Sequence, residues 1–121
     1  MHRLAKRELQ VACPSKRWTL AIGSHHNILI FFSRYPLDGA LDLGDLAKCD
    51  LKNLEDFFTV KEIEKVLIST NKKWTFMFDQ RYRLNLTYTH HPFVGSLELG
   101  EISTEHCQLL ADMFLKAQKL Y

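Results

Sequence analysis

Twice along the chain a pair of cations stands directly before a tryptophan and a threonine, at Lys16-Arg17-Trp18-Thr19 and at Lys72-Lys73-Trp74-Thr75. Cations beside an aromatic ring can neutralise phosphates and stack unpaired bases, the chemistry of single-stranded nucleic-acid binding. Each tryptophan also shares its strand face with apolar residues two and four positions on, Leu20 and Ile22 or Phe76 and Phe78, and that pattern places both indoles in a core. The histidine pairs His25-His26 and His90-His91 are metal ligands by type. Neighbours on a strand point to opposite faces, however, and no cysteine or carboxylate stands nearby at ligand spacing, so the pairs read as turn residues and no metal is expected. Cys13, Cys49 and Cys107 are odd in number, widely spaced and without a CxxC, which reads as free thiols buried in a reducing compartment. No glycine-rich phosphate loop, GxSxG elbow, HExxH or kinase signature is present, so the residues point away from an enzyme and from any cofactor.

The recurrence of the basic-aromatic cluster extends into a repeat. A shift of 56 positions aligns residues 16–46 with 72–102 without a gap, and eight of the 31 pairs are identical, among them Trp18/Trp74, Pro36/Pro92, Gly39/Gly95 and Gly44/Gly100. Alternation explains the apolar matches but does not put Trp, Pro and two Gly residues in register. Within each copy, Trp18 to Ile22 and Trp74 to Phe78 alternate with the period of a half-buried strand. Ile28, Ile30 and Phe32, or Leu84, Leu86 and Tyr88, give a second strand across a hairpin turn at Ser24-His25-His26-Asn27 or Asp79-Gln80-Arg81. A third strand follows each proline around Leu41 and Leu43, or Leu97 and Leu99. The segments Leu9 to Cys13 and Val66 to Ser69 suit a leading strand, though either could equally end a helix. Each copy closes on an apolar helical stripe, Leu51, Leu54, Phe57 and Phe58 or Leu110, Met113, Phe114 and Ala117, with Asp50 and Ser103 or Thr104 as expected N-caps. The expected fold is α+β: two tandem ββββα repeats, about 8–63 and 64–121, forming a pseudo-twofold within a single domain over 1–121, with antiparallel sheets and helices packed on one face.

Charge follows the repeat. Net charge is +5 over residues 1–37, −5 over 38–64, +4 over 65–97 and −2 over 98–121. If the helices cover one side of the sheets, the other side and the hairpin turns hold Lys16, Arg17, Arg34, Lys72, Lys73, Arg81 and Arg83, with the acids behind, a polarity that steers polyanions. Side-chain parity puts Leu29 and Phe31 on the outer face of the first copy and Arg83, Asn85, Thr87 and Thr89 on that of the second. The polar face suits a nucleic-acid strand; the Leu29/Phe31 patch suits a subunit contact or base stacking.

Two tandem units of four antiparallel strands and a helix, each with a basic-aromatic start to its second strand, resemble the superfamily containing Whirly proteins, PUR-alpha repeats and the C-terminal domain of the coactivator positive cofactor 4. Lys16-Arg17-Trp18-Thr19-Leu20-Ala21-Ile22 is similar to the opening of PUR-type strands, and Ile102-Ser103-Thr104-Glu105 to their strand-to-helix junction. The resemblance spans roughly residues 8–121. It implies a binder of single-stranded DNA or RNA whose curved sheets hold the strand, with Lys16, Arg17, Lys72 and Lys73 at the basic strand start and the repeats packed like a dimer in one chain.

Composition bounds these readings. A chain of 121 residues with 46% hydrophobic and 25% charged residues supports one compact core and excludes disorder, collagen-like repeats and low complexity. The longest apolar run, Ile28 to Phe32, is far short of a membrane helix or a signal peptide, so a soluble intracellular protein is expected. The function expected is a nucleic-acid-binding regulatory protein acting through Lys16, Arg17, Lys72, Lys73, Arg81, Arg83 and Asn85. The alternatives are a protein-interaction or assembly subunit, including a homodimer through Leu29 and Phe31, and a small-molecule sensor between the repeats.

Overall fold

Strand alternation and helical spacing translate directly into elements in the computed structural model, which describes residues 9–13, 17–23, 26–34, 37–60, 62–90 and 93–120. Lys16 lies outside the described residues, as do His25, Pro36, His91 and Pro92. The order is β1 (Gln10–Ala12), β2 (Trp18–Ile22), β3 (Asn27–Arg34), β4 (Leu37–Asp45), α1 (Lys48–Thr59), β5 (Val66–Ile68), β6 (Trp74–Phe78), β7 (Arg83–His90), β8 (Phe93–Glu101) and α2 (Thr104–Leu120). β1 to β4 form one antiparallel meander and β5 to β8 a second, giving the ββββα-ββββα arrangement read from the repeat. Both segments that could have ended a helix are leading strands.

The 56-residue period holds at the level of single backbone positions. Trp18 pairs with Phe32 as Trp74 pairs with Tyr88, and Leu20 with Ile30 as Phe76 with Leu86. The ladder slips between Ile28 and Leu29 and again between Leu84 and Asn85, so Leu43 and Leu99 are the extra residues of two equivalent bulges. The residue after each bulge takes a positive φ, 98° at Gly44 and 86° at Gly100, a conformation that only glycine adopts without strain. The hairpin positions His26 and Tyr82 share φ 60° although neither is glycine.

The two helices exchange partners. The connection from β4 to α1 is only Leu46 and Ala47, and α1 runs onto the sheet of the other repeat. Phe57 stacks on Phe78 with centroids 5.1 Å apart, and Phe58 meets Phe76 at 6.0 Å and Phe114 of α2 at 6.0 Å. Reciprocally, α2 packs against β1, and its Leu120 carbonyl lies 3.4 Å from His26 Nε2 on the β2–β3 turn. One continuous core of buried side chains results, running from Trp18, Leu20 and Ile22 through Leu54 and Phe58 to Phe76, Phe78 and Phe114. Both tryptophans are buried, as their shared face with apolar residues requires.

Helix starts differ from expectation at α1. Ala47, not Asp50, occupies the N-cap; Asp50 is the third helical residue and reaches back to accept from the Ala47 N–H at 3.0 Å. Its other oxygen accepts from the Thr70 N–H at 3.0 Å and the Thr70 hydroxyl at 2.7 Å, so this buried carboxylate closes the first turn of α1 from the third helical position and ties it to the β5–β6 turn. Ser103 caps α2 through the His106 N–H at 3.2 Å. Cys13 and Cys107 are buried as expected, whereas Cys49 is exposed on the first turn of α1.

The repeats differ in one hydrogen bond of the core. Trp18 Nε1 donates to the Leu99 carbonyl at 2.9 Å, an oxygen that the β8 bulge frees from its own ladder. Trp74 Nε1, at the equivalent position, is buried without an acceptor. Trp18→Phe therefore strands a buried carbonyl while Trp74→Phe removes an orphan donor, and denaturant unfolding is expected to show the first variant less stable than the second by about 1–2 kcal/mol. Equal losses would contradict the asymmetry.

Candidate nucleic-acid interface

The outer face of the second sheet is built by parity from four strands. Its rows read Ile68, Thr75, Thr87 and Ser96, then Val66, Met77, Asn85 and Glu98, in the order β5, β6, β7, β8. The face is open: Thr75, Asn85 and Thr87 are half-buried and Val66, Ile68, Met77, Ser96 and Glu98 are exposed. Thr87 and Ser96 hydroxyls lie 3.1 Å apart, leaving a hydroxyl row that can give and accept further hydrogen bonds.

At one end of this face, Lys72 and Lys73 are displayed by a tightly bonded turn. The Asn71 Oδ1 accepts from the Ser69 hydroxyl at 2.6 Å and from the Lys73 N–H at 2.9 Å, and the Lys72 N–H reaches the Ser69 carbonyl at 3.0 Å. Lys72 is held at φ 61°, which fixes the direction of its side chain at a cost in backbone strain. Thr89 on β7 closes the turn, its N–H meeting the Lys73 carbonyl at 2.9 Å. The Lys73 side chain lies along Gly44 of the first repeat, so the turn sits where the two repeats meet. Among the described residues, neither Lys72, Lys73 nor Arg81 forms an ion pair, and Arg81 stands exposed on the β6–β7 turn at the opposite end of β6.

Arg83 and Asn85, by contrast, are engaged within the protein. Arg83 Nε lies 2.9 Å from Asp79 Oδ2 and its NH1 3.0 Å from Glu98 Oε1, so its charge is spent within the protein. Asn85 Nδ2 donates to the Arg83 carbonyl at 3.2 Å. The reason is parity: Glu98 is exposed on the face that holds Arg83, and Asp42 is exposed on the corresponding face of the first sheet, so these two acids stand on the outer faces and not behind them. Arg17 is exposed just before β2 in the first repeat, its N–H 3.2 Å from Cys13 Sγ.

The Leu29/Phe31 patch is less open than parity alone suggests. Leu29 is only 9% exposed and its cross-strand partner Ala21 only 1%, so this apolar pair is already withdrawn from water, and Phe31 is half-buried. On the second sheet Val66, Ile68, Met77 and Val94 are exposed, with Tyr82 exposed beside Arg81, and further exposed apolar residues lie at Val60, Ile63 and along α2. The missed signal was parity applied to β5, whose assignment as a strand was left open. No helix among the described residues is long and apolar enough to cross a membrane, and no three His, Cys, Asp or Glu residues among them converge on a metal-sized site.

Asp79 is the hub of the β6–β7 turn. Its Oδ1 accepts from the N–H groups of Arg83 at 3.0 Å and Arg81 at 2.8 Å. The Arg83 backbone bond is the largest of the effects that hold its carboxyl below the usual 3.8; the Arg81 backbone bond and the Arg83 guanidinium add to it, and desolvation opposes it. A depressed folded pKa means the contribution to stability is present above 3.8 and is lost as pH falls through the folded value. A carboxyl NMR titration is expected to place the Asp79 midpoint below 3.8 and to keep it below in Arg83→Ala, because the backbone donors remain. A wild-type midpoint at or above that value would contradict the arrangement. In comparisons with known proteins, the chain matches no family model, no curated protein and no solved structure.

Proposed function

We propose that the protein binds single-stranded DNA or RNA on the outer face of its second sheet, as a non-catalytic regulatory module. The observation that carries this reading is the placement of cations that form no ion pair among the described residues, Lys72 and Lys73 at one end of β6 and Arg81 at the other, beside an open row of hydroxyls. Phosphates need such uncommitted cations, since a cation already paired releases no counterion on binding. β6 spans five residues, or about 17 Å at ~3.4 Å per residue. That length matches about five nucleotides of a stacked strand at ~3.4 Å each. Thr75, Thr87 and Ser96 supply donors and acceptors to bases or sugars, and Tyr82 supplies a ring for stacking next to Arg81. The resemblance of the basic-aromatic strand start to PUR-type repeats agrees with this reading. Arg83 is offset by both Glu98 and Asp79, which limits the basic surface to the turns.

Fluorescence anisotropy with mixed-sequence single-stranded DNA and RNA at low ionic strength tests the proposal. Binding should weaken steeply with salt. In Lys72→Ala/Lys73→Ala the slope of log K against log salt should fall by about 1.4, the loss of two phosphate contacts at ~0.7 each. No anisotropy change with either polymer would end the proposal.

A further inference from the structure

The duplication provides an internal control for the surface. Positions 10, 12 and 21 of the first repeat correspond to 66, 68 and 77 of the second, and the ladders place each set together at the free edge of its sheet. The first repeat carries Gln10, Ala12 and Ala21 there; the second carries Val66, Ile68 and Met77. The same fold forms with either set, so intramolecular packing does not require the apolar one. Yet Val66 is 52% exposed, Ile68 59% and Met77 36%.

The main chain of the same strand points to what covers them. The Lys65 carbonyl accepts from Phe78 at 2.9 Å and the Ser69 N–H donates to Trp74 at 3.0 Å, so residues 65, 67 and 69 face β6. Alternation along an antiparallel ladder then turns the N–H and C=O groups of Val66 and Ile68 outward, away from β6. Among the described residues β5 has no other strand neighbour. An apolar edge with free main-chain groups is a template for another strand, and proteins that avoid such pairing place charges within the edge. Here the charges stand at its two ends: exposed Glu62 and Glu64 before the strand, with Lys65 turned back to the Asp56 and Val60 carbonyls, and Lys72 and Lys73 after it. Among the described residues, Glu62 meets Lys65 at 4.0 Å.

We propose that β5 pairs antiparallel with β5 of a second copy of this chain, about a twofold axis at Leu67. Val66 then lies opposite the partner's Ile68 in both halves, and each such pair exchanges both of its main-chain hydrogen bonds. The antiparallel sense brings the Glu62 and Glu64 end of one copy against the Lys72 and Lys73 turn of the other, twice; a parallel sense would set like charges together. The outer faces of the two second sheets become one continuous surface. The pairing does not rest on nucleic-acid binding.

Sedimentation equilibrium of the nuclease-treated full chain tests the proposal. The wild type is expected to dimerise. Val66→Gln/Ile68→Ala installs the residues that the first repeat carries at these positions, so the fold is retained, and it should weaken the dimer by about tenfold or more. Glu62→Lys should weaken it as well, and Glu62→Lys/Lys72→Glu should recover most of that loss. A wild type that stays monomeric up to about 1 mM, a dimer that disappears with the nucleic acid, or a dimer unmoved by these variants would overturn the proposal.

Discussion

Two phenylalanines at the end of α1 reach across to the inner face of the other repeat's sheet. Phe57 and Phe58 lie against Phe76 and Phe78, and α2 lies across the first sheet in return. The two-residue link between β4 and α1 leaves the helix little freedom to fold back, so each inner sheet face is completed by the other repeat. Burying one large side chain of this kind stabilises by about 1.5–3 kcal/mol, against a typical total of about 5–15 kcal/mol for a domain. Neither repeat therefore has a complete core alone. The buried Asp50 carboxylate and the Trp18 indole, each bonded to the opposite repeat, add direction to an otherwise non-directional contact.

Because each half covers the other, the two copies keep the same backbone and are free to differ outside. The bulges, the positive-φ glycines and the hairpin strain at His26 and Tyr82 recur at a spacing of 56, since moving any of them would shift a strand against the shared core. The outer faces carry no such constraint. One has Ala21 and Leu29 withdrawn from water; the other shows hydroxyls, an edge of Val66 and Ile68, and lysines on a rigid turn. Even within the core the copies have diverged, because Tyr88 replaces Phe32 and sends its hydroxyl to the Asp42 carbonyl at 3.2 Å. Burial, with a smaller push from the Asp42 carboxylate, raises the pKa of that hydroxyl.

The strands and helices were legible because period two and helical spacing each occur twice, so a weak signal in one copy is backed by the other. Trp18 and Trp74 are buried as that spacing requires. What was not legible depends on which elements meet. Asp50 looks like an N-cap in sequence, and only the approach of Thr70 from the other repeat explains its burial. Arg83 looks like a phosphate ligand until Glu98, fifteen positions on, is seen to share its face. Leu29 looks exposed by parity, yet parity fixes direction and says nothing of what covers a side chain. The exchange of helices leaves no trace in periodicity, because a stripe reads the same whichever sheet it covers.

That exchange is most directly tested by aromatic proton cross-relaxation in NMR spectra of the full-length chain. Ring protons of Phe57 and Phe58 should show cross-peaks to Phe76 and Phe78, with the closest pair at a centroid separation of 5.1 Å. Cross-peaks instead to Leu20 and Ile22, the equivalent positions of their own repeat, would contradict the account.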